Sequence, residues 1–134
     1  MEAFLEDVTP SISFPTTHSA RNDLLVQIHK VAAAYRGKSG KIVREMIALG
    51  QLDPTVIQSF VEGYLEPRRL AAKEVLIRGI NNNEFSKRIN IEVVVDSLYG
   101  PIFHRMLTKH APIDDCFVDE YVSLILNAIA VDKA

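Results

Sequence analysis

The chain has no tryptophan, and its one cysteine, Cys116, has no second thiol to pair with. An internal disulfide is excluded, and with it the small secreted domains that depend on such staples. Nothing has the Cys/His spacing of a zinc site, so no metal or other cofactor is expected, and a reducing, cytoplasmic setting is the default. Excess positive charge is also lacking. Fifteen Lys and Arg stand against seventeen Asp and Glu, a net charge of −2, which argues against direct binding of nucleic acid by this chain. The longest uncharged apolar run, Tyr121 to Val131, is far short of the ~20 residues that a membrane span requires. The opening Met1-Glu-Ala-Phe-Leu-Glu-Asp lacks the basic-then-apolar order of a signal peptide.

Signatures of catalysis are missing as well. There is no Gly-rich phosphate loop, no His-x-x-x-His pair and no Ser-His-Asp order with recognisable flanks. Asp114, Asp115, Asp119 and Glu120 cluster near an expected helix start, where they favour the macrodipole rather than acid–base chemistry. Cys116 in that first turn has the setting for a lowered pKa, but no resolving thiol exists. The chain reads as a non-enzyme.

What is present is helix. Apolar residues make up 48% of 134, enough for one domain with one core, and strand-type alternation is scarce. Residues 1 to 7 read as the end of a helix, and Val8 to Thr17, with Pro10 and Pro15, as an extended linker. From Ser19 to Arg36, Leu24, Leu25, Ile28, Val31, Ala32 and Tyr35 share one helical face. Ser19 is the expected cap, and Gly37 the left-handed stop. A helix from Gly40 to Leu49 comes next, capped by Ser39, with Ile42, Val43, Met46 and Ile47 inward.

Asp53-Pro54 marks the next start, since Asp caps and proline at the first helical position has no amide to leave unsatisfied. That helix extends to Ile80 with a kink at 63–67, because Pro67 collides with the Gly63 carbonyl. Leu70, Val75, Leu76 and Ile80 are expected inward after the kink. Arg68, Arg69, Lys73, Glu74 and Arg78 are expected to form a solvated face. Asn81-Asn82-Asn83 ends the helix.

Asn90 to Lys109 forms a helix of about 30 Å, apolar over most of its circumference. Asp114 caps the last helix, to about Ala130, with Ile113 and Val118 as a hydrophobic staple. That helix carries two stripes: Phe117, Tyr121, Leu124 and Ala128 beside Val118, Val122, Ile125 and Ile129. Together they exceed the ~100° that an ordinary surface helix buries. An all-α fold of five to six helices is expected, the last two forming half of a four-helix bundle completed by a second copy. The expected dimer surface is Phe103, Leu107, Phe117, Tyr121, Leu124 and Ala128.

These features, in this order, resemble the C-terminal ligand-binding and dimerisation domain of the TetR family of transcriptional regulators. The resemblance rests on Leu24-Leu25 to Tyr35-Arg36, Asp53-Pro54 with Pro67-Arg68-Arg69, and Val75 to Ile80 with Glu84-Phe85. Its most specific stretch is Leu98-Tyr99-Gly100-Pro101-Ile102-Phe103-His104-Arg105-Met106-Leu107, continued by Pro112 to Val118. It implies a single domain over 19–134, with residues 1–18 as the end of a connecting helix and a linker. It also implies a homodimer and an unidentified small-molecule effector bound between the helices. DNA would be contacted only through an N-terminal helix-turn-helix domain, which nothing in this chain resembles.

Candidate pocket residues are large side chains on facing helices with a polar tip or soft surface: Tyr35, Met46, Phe60, Tyr64, Tyr99, Phe103 and Met106. Plain core packing explains each of them equally well. His104, three residues after Pro101, stands near the Ser97 carbonyl that the proline leaves without its amide; an ordinary surface histidine is the competing reading. His18, His29 and His110 read as surface residues. The alternative function is an all-α dimeric interaction or scaffold module with no ligand, which a fully packed interior would favour.

Overall fold

Helix α1, Ala20–Tyr35, lies at the centre of the molecule and packs against four other helices. It is seen in a computed structural model, which describes residues 13–132. The remaining helices are α2 (Lys38–Gly50), α3 (Pro54–Phe60), α4 (Glu66–Asn81), α5 (Ile91–Thr108) and α6 (Asp115–Ile129). A wide turn of π-helix, Val61–Leu65, joins α3 to α4 without a break. Counted as rods there are five helices among the described residues; counted as segments there are six. The only β-type pairing among the described residues is an isolated bridge between Phe85 and Ala130. The expected helical end over residues 1–7 lies outside the described residues.

The expected caps form where small polar side chains precede apolar runs. Ser19, Asp53, Asn90 and Asp114 each accept a hydrogen bond from an amide in the first turn of the adjoining helix. Asn83 takes the left-handed conformation after α4, at φ 65°. Ile113 and Val118 are both buried beside the Asp114 cap.

Other boundaries differ from expectation. Gly37 is not left-handed; it stands at the N-cap of α2, which begins at Lys38 rather than Gly40 and takes no cap from Ser39. The last turn of α1 instead tightens through Gly37 N–H to the Ala34 carbonyl at 3.1 Å, so no left-handed residue is needed. Besides Asn83, a left-handed residue ends a helix at Lys109, at φ 58°. Gly40 is buried, and a Cβ there would lie 1.9 Å from the Tyr35 carbonyl oxygen. It lets α2 approach the end of α1 closely.

Pro67 bends the third rod as anticipated, and the form of the bend is the π-turn. The inner face of α4 is Ala72, Val75, Leu76 and Gly79; Leu70, five residues before Val75, falls about 140° from that face and is exposed, contrary to the expected inward face.

The expected solvated face of α4 is largely absent. Arg69 donates to Glu92 at 2.6 Å and to Asp96 at 2.5 Å, and Lys73 pairs with Glu92. The reason is that α5 runs beside α4 and presents both acids. Arg68 lies over the Tyr64 ring, 4.1 Å from its centre. Arg78 donates to Asp23 of α1 at 2.7 Å, and Asp23 is fully buried.

Asp23 organises the chain's approach to α1. Its carboxylate also accepts from the Thr17 amide at 3.0 Å and the Thr17 hydroxyl at 2.6 Å, while Arg78 donates to the Thr17 carbonyl at 2.9 Å. Glu84, in the turn after α4, accepts from the Ala20 amide at 2.9 Å and the Arg21 amide at 3.1 Å. A carboxylate on these first-turn amides also meets the positive end of the helix dipole.

Both carboxyls titrate below their ordinary values. Burial alone would raise each of them. For Asp23, the bonds from Thr17 and then Arg78 outweigh that; for Glu84, the amides of Ala20 and Arg21 do. Carboxyls with depressed folded values contribute stability that is complete at neutral pH. That contribution drains away as pH falls below about 4. Arg78→Met leaves Asp23 buried without its cation and should cost about 3 kcal/mol, the lower end for a broken buried pair. Urea unfolding at pH 7 measures the loss. Repeated at pH 3.5, the gap between variant and parent should narrow; an unchanged gap would mean that Asp23 is not the group involved.

Candidate functional site

Bending the third rod leaves space between it, α1 and α5. The space is a cavity of about 450 Å³, within the size range of small-molecule sites. Tyr35 closes it from α1, Phe60 and Tyr64 from the bend, and Tyr99 and Phe103 from α5. Apolar side chains fill the gaps between them: Val31, Ile47, Ile57, Leu65 and Val95.

The aromatic rings are arranged in two ways. Phe60 and Tyr64 stack, with centres 5.2 Å apart and planes at 26°. Tyr35 and Phe103 meet edge to face, at 5.7 Å and 76°. Phe60 and Tyr64 are four residues apart and share a face of the rod, Phe60 as the last residue of α3 and Tyr64 within the π-turn.

Polar tips pair across the elements. The hydroxyls of Tyr35 and Tyr64 share a short hydrogen bond between α1 and the π-turn. Tyr99 donates its hydroxyl to Gln27 Oε1 at 2.5 Å, and Gln27 is itself buried on α1. Burial pushes the pKa of Tyr35, Tyr64 and Tyr99 upward, so all three remain neutral phenols at any physiological pH. Arg68 donates to the Tyr64 carbonyl at 3.0 Å while covering its ring. At the rim stand Arg69 and Asp96, already bonded to each other.

Of the pocket candidates, Tyr35, Phe60, Tyr64, Tyr99 and Phe103 come together around this cavity. Met46 and Met106 do not line it. Met46 is half-buried on α2, and Met106 is packed in the core, one turn nearer the end of α5 than Phe103. Gln27, Arg68 and Arg69 were not anticipated. Gln27 offered one signal, a polar residue between Leu24 and Ile28 on an apolar face; the two arginines offered none beyond their charge.

The six expected dimer-surface residues are placed unevenly. Leu124 is 73% exposed and Leu107 44%, and Ala128 is exposed. Phe117 and Tyr121 are half-buried: Arg105 lies 3.6 Å from the centre of the Phe117 ring, and Tyr121 donates its hydroxyl to the Leu98 carbonyl at 2.6 Å. Phe103 belongs to the cavity wall. In α6 the neighbouring stripe, Val118, Val122 and Ile129, is buried within the chain.

His104 is exposed and lies with its ring 5.1 Å from that of His110, and the Tyr121 hydroxyl goes to the Leu98 carbonyl rather than to that of Ser97. His29 is more than a surface residue, since its ring bridges Asp115 at 3.2 Å and Asp119 at 2.7 Å, tying α1 to α6.

A bent rod over an aromatic cavity, with two further helices beside it, matches a known domain. The family described as the tetracyclin repressor-like C-terminal domain matches residues 14–125. The chain belongs to the TetR family. It is similar to an uncharacterized HTH-type transcriptional regulator, YdeS, of Bacillus subtilis (strain 168), at 33% identity over 128 residues. That match takes in 96% of this chain and 63% of YdeS, so the chain spans less than two thirds of that relative. It also superimposes on the crystal structure of the TetR family transcription regulator SCO0332, with a TM-score of 0.88 and 29% identity. The match covers 94% of this chain and 70% of the other. As a TetR-family C-terminal domain, this chain has the all-α architecture expected from its sequence.

Removing the Tyr35 hydroxyl by Tyr35→Phe takes away one partner of a buried bond without changing the shape of the wall. The cost should be about 1–2 kcal/mol, read as a lower midpoint in chemical unfolding with an unchanged slope. A neutral substitution would mean that the two phenols do not hold α1 to the π-turn.

Proposed function

We propose that this domain is the effector-sensing and dimerising half of a TetR-family transcriptional repressor. The observation that carries the reading is the cavity of about 450 Å³ between α1, the bend and α5, walled by aromatic rings with neutral polar tips. A fully packed interior would have favoured the scaffold alternative, and the interior is not fully packed. Two copies join through α5 and α6, using the exposed stripe of Leu107, Leu124 and Ala128 with Phe117 and Tyr121 at its edge. The name of the similar B. subtilis protein supports DNA binding by a helix-turn-helix in the remainder of the regulator.

Effector binding acts through differential affinity for two arrangements of the helices. The chain enters α1 through Thr17, which Asp23 and Arg78 hold, so a shift of α1 against α4 is passed to that segment. DNA reading is sensitive to such shifts because paired recognition helices must reach half-sites about 34 Å apart.

Two measurements test this. Sedimentation velocity at micromolar concentration should give a dimer of 15.0 kDa chains, and Leu124→Arg should give a monomer that melts cooperatively; a monomeric parent overturns the dimer. The neutral dye N-phenyl-1-naphthylamine should bind once per chain with increased fluorescence. Ile47→Trp, which fills the cavity, should reduce that binding at least tenfold. Dye binding untouched by the substitution would place the dye elsewhere and remove the support for a sensing cavity.

A further inference from the structure

Most residues that line the cavity are buried or half-buried; Asp96 and Gly100, both on α5, are the exposed ones. We propose that the cavity opens to solvent there, between α4 and α5, and that the Arg69–Asp96 ion pair is a bar across its mouth. An effector enters and leaves when that pair parts. The proposal rests on the sensing reading above and adds the route by which a ligand comes and goes.

Helical spacing frames the mouth. Asp96 and Gly100 are four residues apart, so they lie on adjacent turns of one face of α5. On the other rod, Leu65 at the end of the π-turn and Arg69 in the first turn of α4 are also four apart. All four residues line the cavity. Gly100 marks an opening for a second reason: a Cβ added to it would meet nothing else of the described fold within 4 Å. There is open space at a residue that also belongs to the cavity wall.

The Arg69 guanidinium spans the gap between the rods. One of its nitrogens donates to Asp96 at 2.5 Å and another to Glu92 at 2.6 Å, and Lys73 also pairs with Glu92. Asp96 lines the cavity, whereas Glu92 and Lys73 stand outside it. Arg69 can therefore leave Asp96 while Glu92 still holds it, and the mouth opens with α4 and α5 still joined. The Asp96 side chain is 69% exposed, so water can take the place of the guanidinium at small cost.

A bar of this kind acts on rates. The pair is made in the empty and the occupied states and broken only while a ligand passes. Removing it lowers the barrier equally in both directions and leaves the affinity as it was. A side chain that touched the bound ligand would change the affinity instead. A bond that did no more than hold α4 to α5 would change stability and leave both rates alone.

Stopped-flow mixing with N-phenyl-1-naphthylamine reads both rate constants, and the dye is uncharged, so the field of the protein does not steer it. Asp96→Ala should raise association and dissociation together by about fivefold, the factor that a strong exposed pair represents, with the dissociation constant unchanged. Lys73→Ala removes an ion pair of the same cluster outside the cavity and should leave both rates as in the parent. Gly100→Phe should slow both about tenfold relative to Gly100→Ala, which adds a Cβ before the proline without filling the mouth. If Gly100→Phe fails to melt cooperatively, the comparison of Asp96→Ala with Lys73→Ala decides. Equal acceleration by those two would mean a general loosening of α4 from α5, and a changed dissociation constant in Asp96→Ala would mean contact with the bound dye; either result overturns the bar. Rates indifferent to Asp96→Ala and Gly100→Phe, with dye binding still lost in Ile47→Trp, would overturn the mouth and leave the sensing cavity standing. Dye binding absent from the parent, or untouched by Ile47→Trp, would overturn the sensing reading and this proposal with it.

Discussion

Proline 67 is the constraint on which the interior depends. It has no amide to donate and its ring crowds the carbonyl four residues back, so the rod from Pro54 to Asn81 cannot stay regular. The chain takes the extra residue into a π-turn at Val61–Leu65 and goes on as helix. A clean break would have freed several amides and carbonyls in a partly buried place; the wide turn frees few. Phe60, just before the turn, and Tyr64, within it, are both buried, and the Tyr64 hydroxyl meets that of Tyr35 on α1. The cavity is the space that results, and the phenol pair and the Arg68 stack hold its edges together.

Helix α5 has to satisfy this cavity and the rest of the core at once. Val94, Val95, Leu98, Ile102 and Met106 are buried in its own chain, while Tyr99 and Phe103 give the cavity its third side. Little of its apolar surface is left over; Val93 and Leu107 are the large side chains that stay exposed. On α6 the large side chain that stays exposed is Leu124. Gly100 precedes Pro101, where a Cβ would press on the proline ring, and the helix passes both residues unbroken. Tyr121 supports the passage from outside by reaching the Leu98 carbonyl.

What could be read from the residues was whatever is local. Caps at Ser19, Asp53, Asn90 and Asp114 depend on a side chain and an amide two or three positions away, and the sequence displays both. The bend at Pro67 comes from one residue, and five wall residues come from size, softness and helical phase. The exact form of the bend is not legible, and Leu70 fails for a separate reason: it lies five residues before Val75, off the face that Val75 and Leu76 share. Charged residues misled for a different reason. Arg69 and Lys73 look solvated until α5 is laid beside them, and nothing in the pattern around Asp23 marks it as the buried partner of a residue 55 positions later. Glu84 as a cap for α1 is equally invisible, since its amides lie 63 and 64 positions upstream. Met46 and Met106 show the limit of the side-chain argument: suitable chemistry does not decide which side of a helix faces the space.

The turn that holds Glu84 has a second set of bonds. Its carbonyl accepts from the Val131 amide at 3.1 Å, and the next-but-one amide, Ser86, donates to the Ile129 carbonyl at 2.9 Å. Between them Phe85 lies so close over Gly79 that a Cβ there would be 2.2 Å from its ring. The first turn of the central helix and the last turn of α6 are thus fastened to the same three residues. Mechanically this is a common clamp: tension applied where the chain enters α1 and tension applied where it leaves α6 meet at one point, and neither has to pass through the cavity to reach the other.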